Sequence, residues 1–121
     1  AMLVSEAFLR DKIDLVVGNK IDIYPGGTLM EIAFQKNNDI QYIDWVKNFG
    51  FTTIEISDGI YNLKREKRDN TTKRSNDSGL KVITEVGRKD PGNKILIAQL
   101  CDDINADLES GADKVIIEGR E

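Results

Sequence analysis

The chain has 121 residues, 40% hydrophobic, 31% charged and 7% aromatic, a composition and length suited to one globular domain. With no histidine and a single cysteine, Cys101, it excludes Ser-His-Asp and Cys-His catalysis, imidazole zinc sites, an internal disulfide and CxxC chemistry, and it fits a reducing compartment. Twenty-one acidic against 17 basic residues give a net charge of −4, the wrong balance for neutralising a nucleic-acid backbone, and the longest aliphatic run, Ile95 to Ala98, is far short of a membrane span. The sequence therefore predicts a cytoplasmic protein with neither nucleic-acid nor membrane partners; Ala1 and Met2 read as an expression remnant outside the domain.

Gly18, Gly50, Gly79 and Gly111 are separated by 32, 29 and 32 residues, and each closes a helical pattern and opens a short β-branched run. The helical patterns fall at 5–17 (Phe8, Leu9, Ile13, Leu15, Val16), 39–49 (Ile40, Tyr42, Ile43, Val46, Phe49) and 93–110 (Ile97, Leu100, Cys101, Ile104, Leu108). Thr28 to Glu31 has capping-box spacing and Asn38 with Gln41 is a second start signal, so the connection after the first run predicts a short helix before the main one. Trp45 and Cys101 sit within apolar patterns and are read as packing residues. The runs themselves, Ile21–Tyr24, Thr53–Ile56, Lys81–Val86 and Lys114–Glu118, have the length and residue types of strands buried on both faces.

One connection departs from the pattern. Lys64 to Ser78 contains no apolar residue, so a helix there would have nothing to bury, and its six basic residues are interrupted by Glu66, Asp69 and Asp77. A solvated, partly mobile face is expected.

Alternating helices and strands with connections of this length mean parallel strands joined by right-handed crossovers. Two architectures fit: an open doubly wound sheet, or half of a (β/α)8 barrel, whose eight units would total about 250 residues. A four-stranded half-barrel, spanning 1–121 as one unit, leaves edge strands unpaired and predicts self-association.

In parallel sheets, ligands gather at the C-terminal ends of strands. Glu55, Glu85 and Glu118 fall at or near those ends, spaced by 30 and 33 residues, and three converging carboxylates call for a hard cation such as Mg²⁺. Each could instead cap its strand or pair with a nearby base. Arg88, Lys89 and Arg120 in the following loops suit an anionic substrate, or else neutralise Glu85 and Glu118. After the first run, Gly26, Gly27 and Thr28 lead into a helix start whose N–H groups favour a phosphate, though simple turn geometry explains a Gly-Gly pair as well. Ser57-Asp58-Gly59 is either a further ligand source or an Asx-type turn.

These motifs, Tyr-Pro-Gly-Gly-Thr (24–28), Ile-Glu-Ile-Ser-Asp-Gly (54–59), Thr-Glu-Val-Gly-Arg-Lys-Asp (84–90) and Gly-Ala-Asp-Lys-Val-Ile-Ile-Glu-Gly-Arg-Glu (111–121), resemble in order and spacing the strand-end motifs of the phosphosulfolactate synthase family. The resemblance implies a (β/α)8 barrel lyase that adds sulfite to phosphoenolpyruvate with Mg²⁺, giving phosphosulfolactate for coenzyme M biosynthesis. It implies that Glu55, Glu85 and Glu118 hold the metal, that Lys89 and Glu85 carry the catalysis with Lys89 as proton donor, and that Arg88, Arg120, Gly26, Gly27 and Thr28 bind substrate oxygens. Members of the family are about twice this length, so roughly half a barrel is expected, inactive in isolation. The family's helix matching 64–78 carries alanine and isoleucine where Thr71, Thr72 and Ser75 stand here. Two rival readings are a non-catalytic half-barrel module that self-associates through open sheet edges, and a different phosphoenolpyruvate- or aldol-type barrel enzyme.

Overall fold

A computed structural model describes residues 5–57, 63–87 and 97–118. Five helices and three strands follow in the order α1 (Glu6–Gly18), α2 (Gly27–Gln35), α3 (Asp39–Phe49), β1 (Thr53–Ile56), α4 (Arg65–Asp77), β2 (Lys81–Val86), α5 (Ile97–Ser110) and β3 (Lys114–Ile117). The strands form one parallel sheet in the order β1-β2-β3, so this is a mixed α/β fold with sequential crossovers.

The helix starts follow local chemistry. The Ser5 hydroxyl accepts the Phe8 N–H at 3.2 Å and caps α1. Asn38 stands at the start of α3 without a side-chain cap bond, and Gly26, not Thr28, is the N-cap of α2. The Thr28–Glu31 capping box therefore does not form, because Glu31 turns inward instead, as described below. At the other ends, Gly50, Gly79 and Gly111 adopt φ of 107°, 91° and 115°, as a left-handed exit requires. Gly18 does not: it belongs to α1, and the left-handed residue of that turn is Lys20 at φ 60°.

The first expected strand, Ile21–Tyr24, forms no strand. Its backbone is tied to the entry of β1 at Ile23, whose N–H donates to Thr52 Oγ1 (3.0 Å) and whose carbonyl accepts from the N–H groups of Thr52 (3.2 Å) and Thr53 (3.3 Å). A hydroxyl has replaced one backbone partner and both N–H groups converge on one carbonyl, so no ladder propagates.

Ile13, Met30, Phe34, Ile43, Val46, Phe49, Phe51, Ile54, Ile56 and Val82 form one continuous apolar core from α1, α2, α3, β1 and β2. Trp45 packs at its edge, 5.9 Å from the Tyr42 ring and 5.1 Å from the Phe49 ring, as a packing residue.

The segment 64–78 departs from expectation. It is a 13-residue helix, α4, and Arg68, Thr71, Thr72 and Ser75 are buried. Their polar atoms are satisfied locally: the hydroxyls of Thr71, Thr72 and Ser75 donate to the carbonyls of Lys67, Arg68 and Thr71 at 2.7–2.9 Å, presenting carbon to the neighbours. In helix α5 only part of the expected stripe turns inward, Leu100 and Ile104 being half-buried. Ile97, Cys101 and Leu108 are exposed, and the fully buried residue is Asp107. No helix among the described residues is long and apolar enough to cross a membrane.

Candidate functional site

Strand alternation divides the sheet into two unlike faces. Ile54, Ile56, Val82, Thr84 and Val86 are buried on one, and α4 and α5 both reach it: Asp107 of α5 accepts from Thr84 Oγ1 at 2.7 Å and from Arg68 of α4. Glu55, Ile83 and Glu85 project to the other face and are partly exposed.

The register fixes how the acidic residues relate. Glu55 is level with Ile83, two residues before Glu85, and Glu85 is level with Ile116, two residues before Glu118. The Glu118 N–H donates to the Val86 carbonyl at 3.0 Å and continues the ladder beyond β3. All three glutamates therefore share one face, stepped like a staircase, with about 8 Å between neighbouring Cα atoms and about 16 Å from first to last, given 3.3 Å rise per residue and 4.8 Å between strands. Among the described residues no three Cys, Asp or Glu side chains form a group that could hold a metal ion.

Around Glu55 the site is built tightly. Gly27, the first residue of α2, packs so closely on β1 that a Cβ there would lie 2.5 Å from Ser57 Oγ and 2.6 Å from Glu55 Oε1. Any larger residue would push these two side-chain ends aside. The positive end of α2 thus faces the Glu55 carboxylate, with Gly26 and Thr28 exposed beside it. Ser57 Oγ donates to Glu31 Oε1 at 3.1 Å, and both residues are buried. Burial raises the Tyr42 phenol above its ordinary value, and the negative charge of Glu55 adds to the effect. Its hydroxyl is buried with no hydrogen-bond partner among the described residues.

Glu31 is the member of this site that the sequence reading omitted. Its position three residues after Thr28 suggested a cap, and only the inward turn toward Ser57 distinguishes the two roles. Of the other expected site residues, Arg88, Lys89, Arg120, Asp58 and Gly59 lie outside the described residues.

In parallel α/β sheets the C-terminal ends of the strands are where ligand sites form, and here Glu55, Ser57 and Glu31 meet the N-terminus of α2 at that end. Residues 1–121 match the family model described as (2R)-phospho-3-sulfolactate synthase (ComA). The chain is 40% identical over 121 residues to the phosphosulfolactate synthase of Methanocaldococcus jannaschii, covering 98% of this chain and 48% of that protein. It is 35% identical over 117 residues to the enzyme of that name from Methanothermobacter thermautotrophicus and 30% identical over 115 residues to that from Bacillus subtilis, in each case covering 93% of this chain and 45% of the relative. The chain belongs to the phosphosulfolactate synthase family and spans about half the length of these relatives.

Proposed function

We propose that this chain forms part of an enzyme that adds sulfite to phosphoenolpyruvate, giving phosphosulfolactate for coenzyme M biosynthesis, and that it supplies half of a (β/α)8 barrel. The single observation that carries this reading is the shared face of Glu55, Glu85 and Glu118 at successive strand ends, in a chain of this family. The barrel form is supported by the sequential strand order and by α4 and α5 lying against the same face of β2, whereas a doubly wound sheet reverses order and uses both faces.

In the reaction, the sulfite sulfur forms a bond to the methylene carbon of phosphoenolpyruvate and the double-bond pair moves toward the carboxylate. Lys89 donates a proton to the phosphate-bearing carbon, and Glu85 stands two residues past the Glu55 level to orient it. Arg88 and Arg120 grip phosphate and sulfonate oxygens, and Gly26, Gly27 and Thr28 offer N–H groups. The staircase does not suit a three-carboxylate cage; it suits Mg²⁺ held by one or two of Glu55, Glu85 and Glu118 with water and substrate oxygens. When bound, the ion supplies charge stabilisation for the enolate-like carboxylate.

The test is direct. Incubation of the full-length enzyme that contains this chain with sulfite, phosphoenolpyruvate and Mg²⁺ gives phosphosulfolactate by mass spectrometry, and Lys89→Ala in that enzyme abolishes turnover while retaining phosphoenolpyruvate affinity. Undiminished turnover in Lys89→Ala removes that residue from its role. Equal Mg²⁺ heats for the protein and its triple Glu→Gln variant remove the three glutamates from theirs.

A second reading, a self-associating module without catalysis, draws on β3, where Ile116 and Ile117 are 39% and 57% exposed. Light scattering showing a stable oligomer with no product in the sulfite assay favours it; a turning-over enzyme excludes it.

A further inference from the structure

The mechanism just described leaves unused a densely hydrogen-bonded cluster behind the sheet. Asp107 of α5 is wholly buried and accepts four hydrogen bonds: Oδ1 from Arg68 Nε (2.8 Å) and Arg65 Nη1 (2.6 Å), Oδ2 from Arg68 Nη2 (2.7 Å) and Thr84 Oγ1 (2.7 Å). Burial pushes its carboxyl up, but the Arg68 hydrogen bonds and charge, with those of Arg65 and Thr84, outweigh this and hold it below the ordinary carboxylate range. Arg68, gripped side-on, also donates from Nη2 to the Glu85 carbonyl at 2.9 Å.

That last bond falls at a particular place. The Lys81 N–H donates to the Thr52 carbonyl, while the Val82 and Val86 carbonyls accept from the N–H groups of Asp113 and Glu118. Odd-numbered groups of β2 therefore face β1 and even-numbered ones face β3. The β1–β2 pairing ends at Ile56 and Thr84, so the Glu85 carbonyl, one residue on, points past the last paired residue, and the arginine takes it. The next carbonyl, of Val86, is held by Glu118, and Gly87 then turns at φ 110°, where a Cβ would lie 2.8 Å from the Glu118 carbonyl oxygen. Two successive peptide planes and one turn are thus fixed immediately before Arg88 and Lys89.

We propose that Arg68, clamped by Asp107, is a positioning residue for the reaction: it sets the peptide plane of Glu85, and through it the direction in which the Glu85 side chain enters the site. The proposal rests on the sulfite-addition reading. Buried ion networks are seldom retained for stability, since apolar replacements of similar volume often fold as well. A geometric role explains why this position needs a planar fork: one guanidinium spans a carboxylate and a carbonyl in fixed orientation, and an ammonium cannot.

The experiment compares the intact protein with Arg68→Lys and with the charge-free pair Arg68→Met/Asp107→Leu. Expected for every folded variant is a kcat lowered at least tenfold with KM for phosphoenolpyruvate within twofold, and amide hydrogen exchange at Val86 and Gly87 at least tenfold faster while Val82, held by Asp113 Oδ2 at 2.8 Å, keeps its protection. A folded variant with wild-type kcat and unchanged exchange overturns the proposal. Failure of both variants to fold assigns the cluster to stability and overturns it equally. If the unsubstituted protein adds no sulfite, the reaction assignment fails, while the exchange measurement still decides whether Arg68 holds the strand tip.

Discussion

Two sectors of this molecule solve the same packing problem with opposite chemistry. Around β1, the face that carries Ile54 and Ile56 packs on Met30 and Phe34 of α2 and Ile43 and Val46 of α3, a contact made by carbon. Around β2, helices α4 and α5 are joined through Arg68 and Asp107, with Thr84 of β2 in the same cluster, and Thr72 and Ser75 of α4 are buried as well. The first arrangement tolerates reshuffling among apolar residues of similar volume, because dispersion and desolvation are non-directional. The second tolerates little, because each polar atom has a specific partner and an orphaned one costs the full desolvation of that group. The contrast shows that an absence of hydrophobic residues is not an absence of a packed face.

Single substitutions break the contrast most sharply. Asp107→Ala leaves the Arg68 guanidinium buried without its counter-charge and is expected to lower unfolding free energy by about 3–5 kcal/mol, whereas Arg68→Met/Asp107→Leu loses far less; chemical denaturation of both reads the difference. In the apolar sector Ile54→Ala is expected to cost about 2–5 kcal/mol, with no rescue from a second site. Gly27→Ala forces Ser57 and Glu55 apart and is expected to cost about 1–3 kcal/mol, visible as a lowered Tm. Acid sharpens the comparison further. The folded Asp107 carboxyl titrates below its unfolded value, so its contribution is complete above about pH 4 and is lost as the pH falls from there through the lowered folded value. The pH dependence of denaturation between 5 and 2 flattens in Arg68→Met/Asp107→Leu. At the small end, the exposed Lys81–Asp22 pair, 2.8 Å apart, is expected to leave the denaturation midpoint unmoved when Asp22 becomes Asn.

The apolar sector was legible in the sequence, and the polar one was not. Ile43, Val46 and Phe49 recur at helical spacing and meet Ile54 and Ile56 as the periodicity predicts. Hydrophobic period carries no information about Arg68 or Asp107, which lie 39 residues apart and identify each other only through space. The same limit explains α5, where Ile97, Leu100, Cys101, Ile104 and Leu108 suggest an inward stripe of which only Leu100 and Ile104 are half-buried. Ile21–Tyr24 had strand composition but lacked a partner with two free backbone groups at each step, which composition does not report. At the site, the spacing of Glu55, Glu85 and Glu118 predicts carboxylates converging on one rim, whereas the register places them on one face stepped apart, with no three-carboxylate group among the described residues. The two-residue offset between neighbours depends on ladder register, which repeat length alone does not specify.

Tyr42 stands between the chain's single indole and the acidic face, its ring stacked on Trp45 and its phenol within the field of Glu55. Tryptophan emission therefore has only one source in this protein, and that source is one aromatic ring away from a carboxylate. Neutralising the charge by a bound ion changes the field across that ring, so ordinary fluorescence titration offers an optical gauge of occupancy that needs no label.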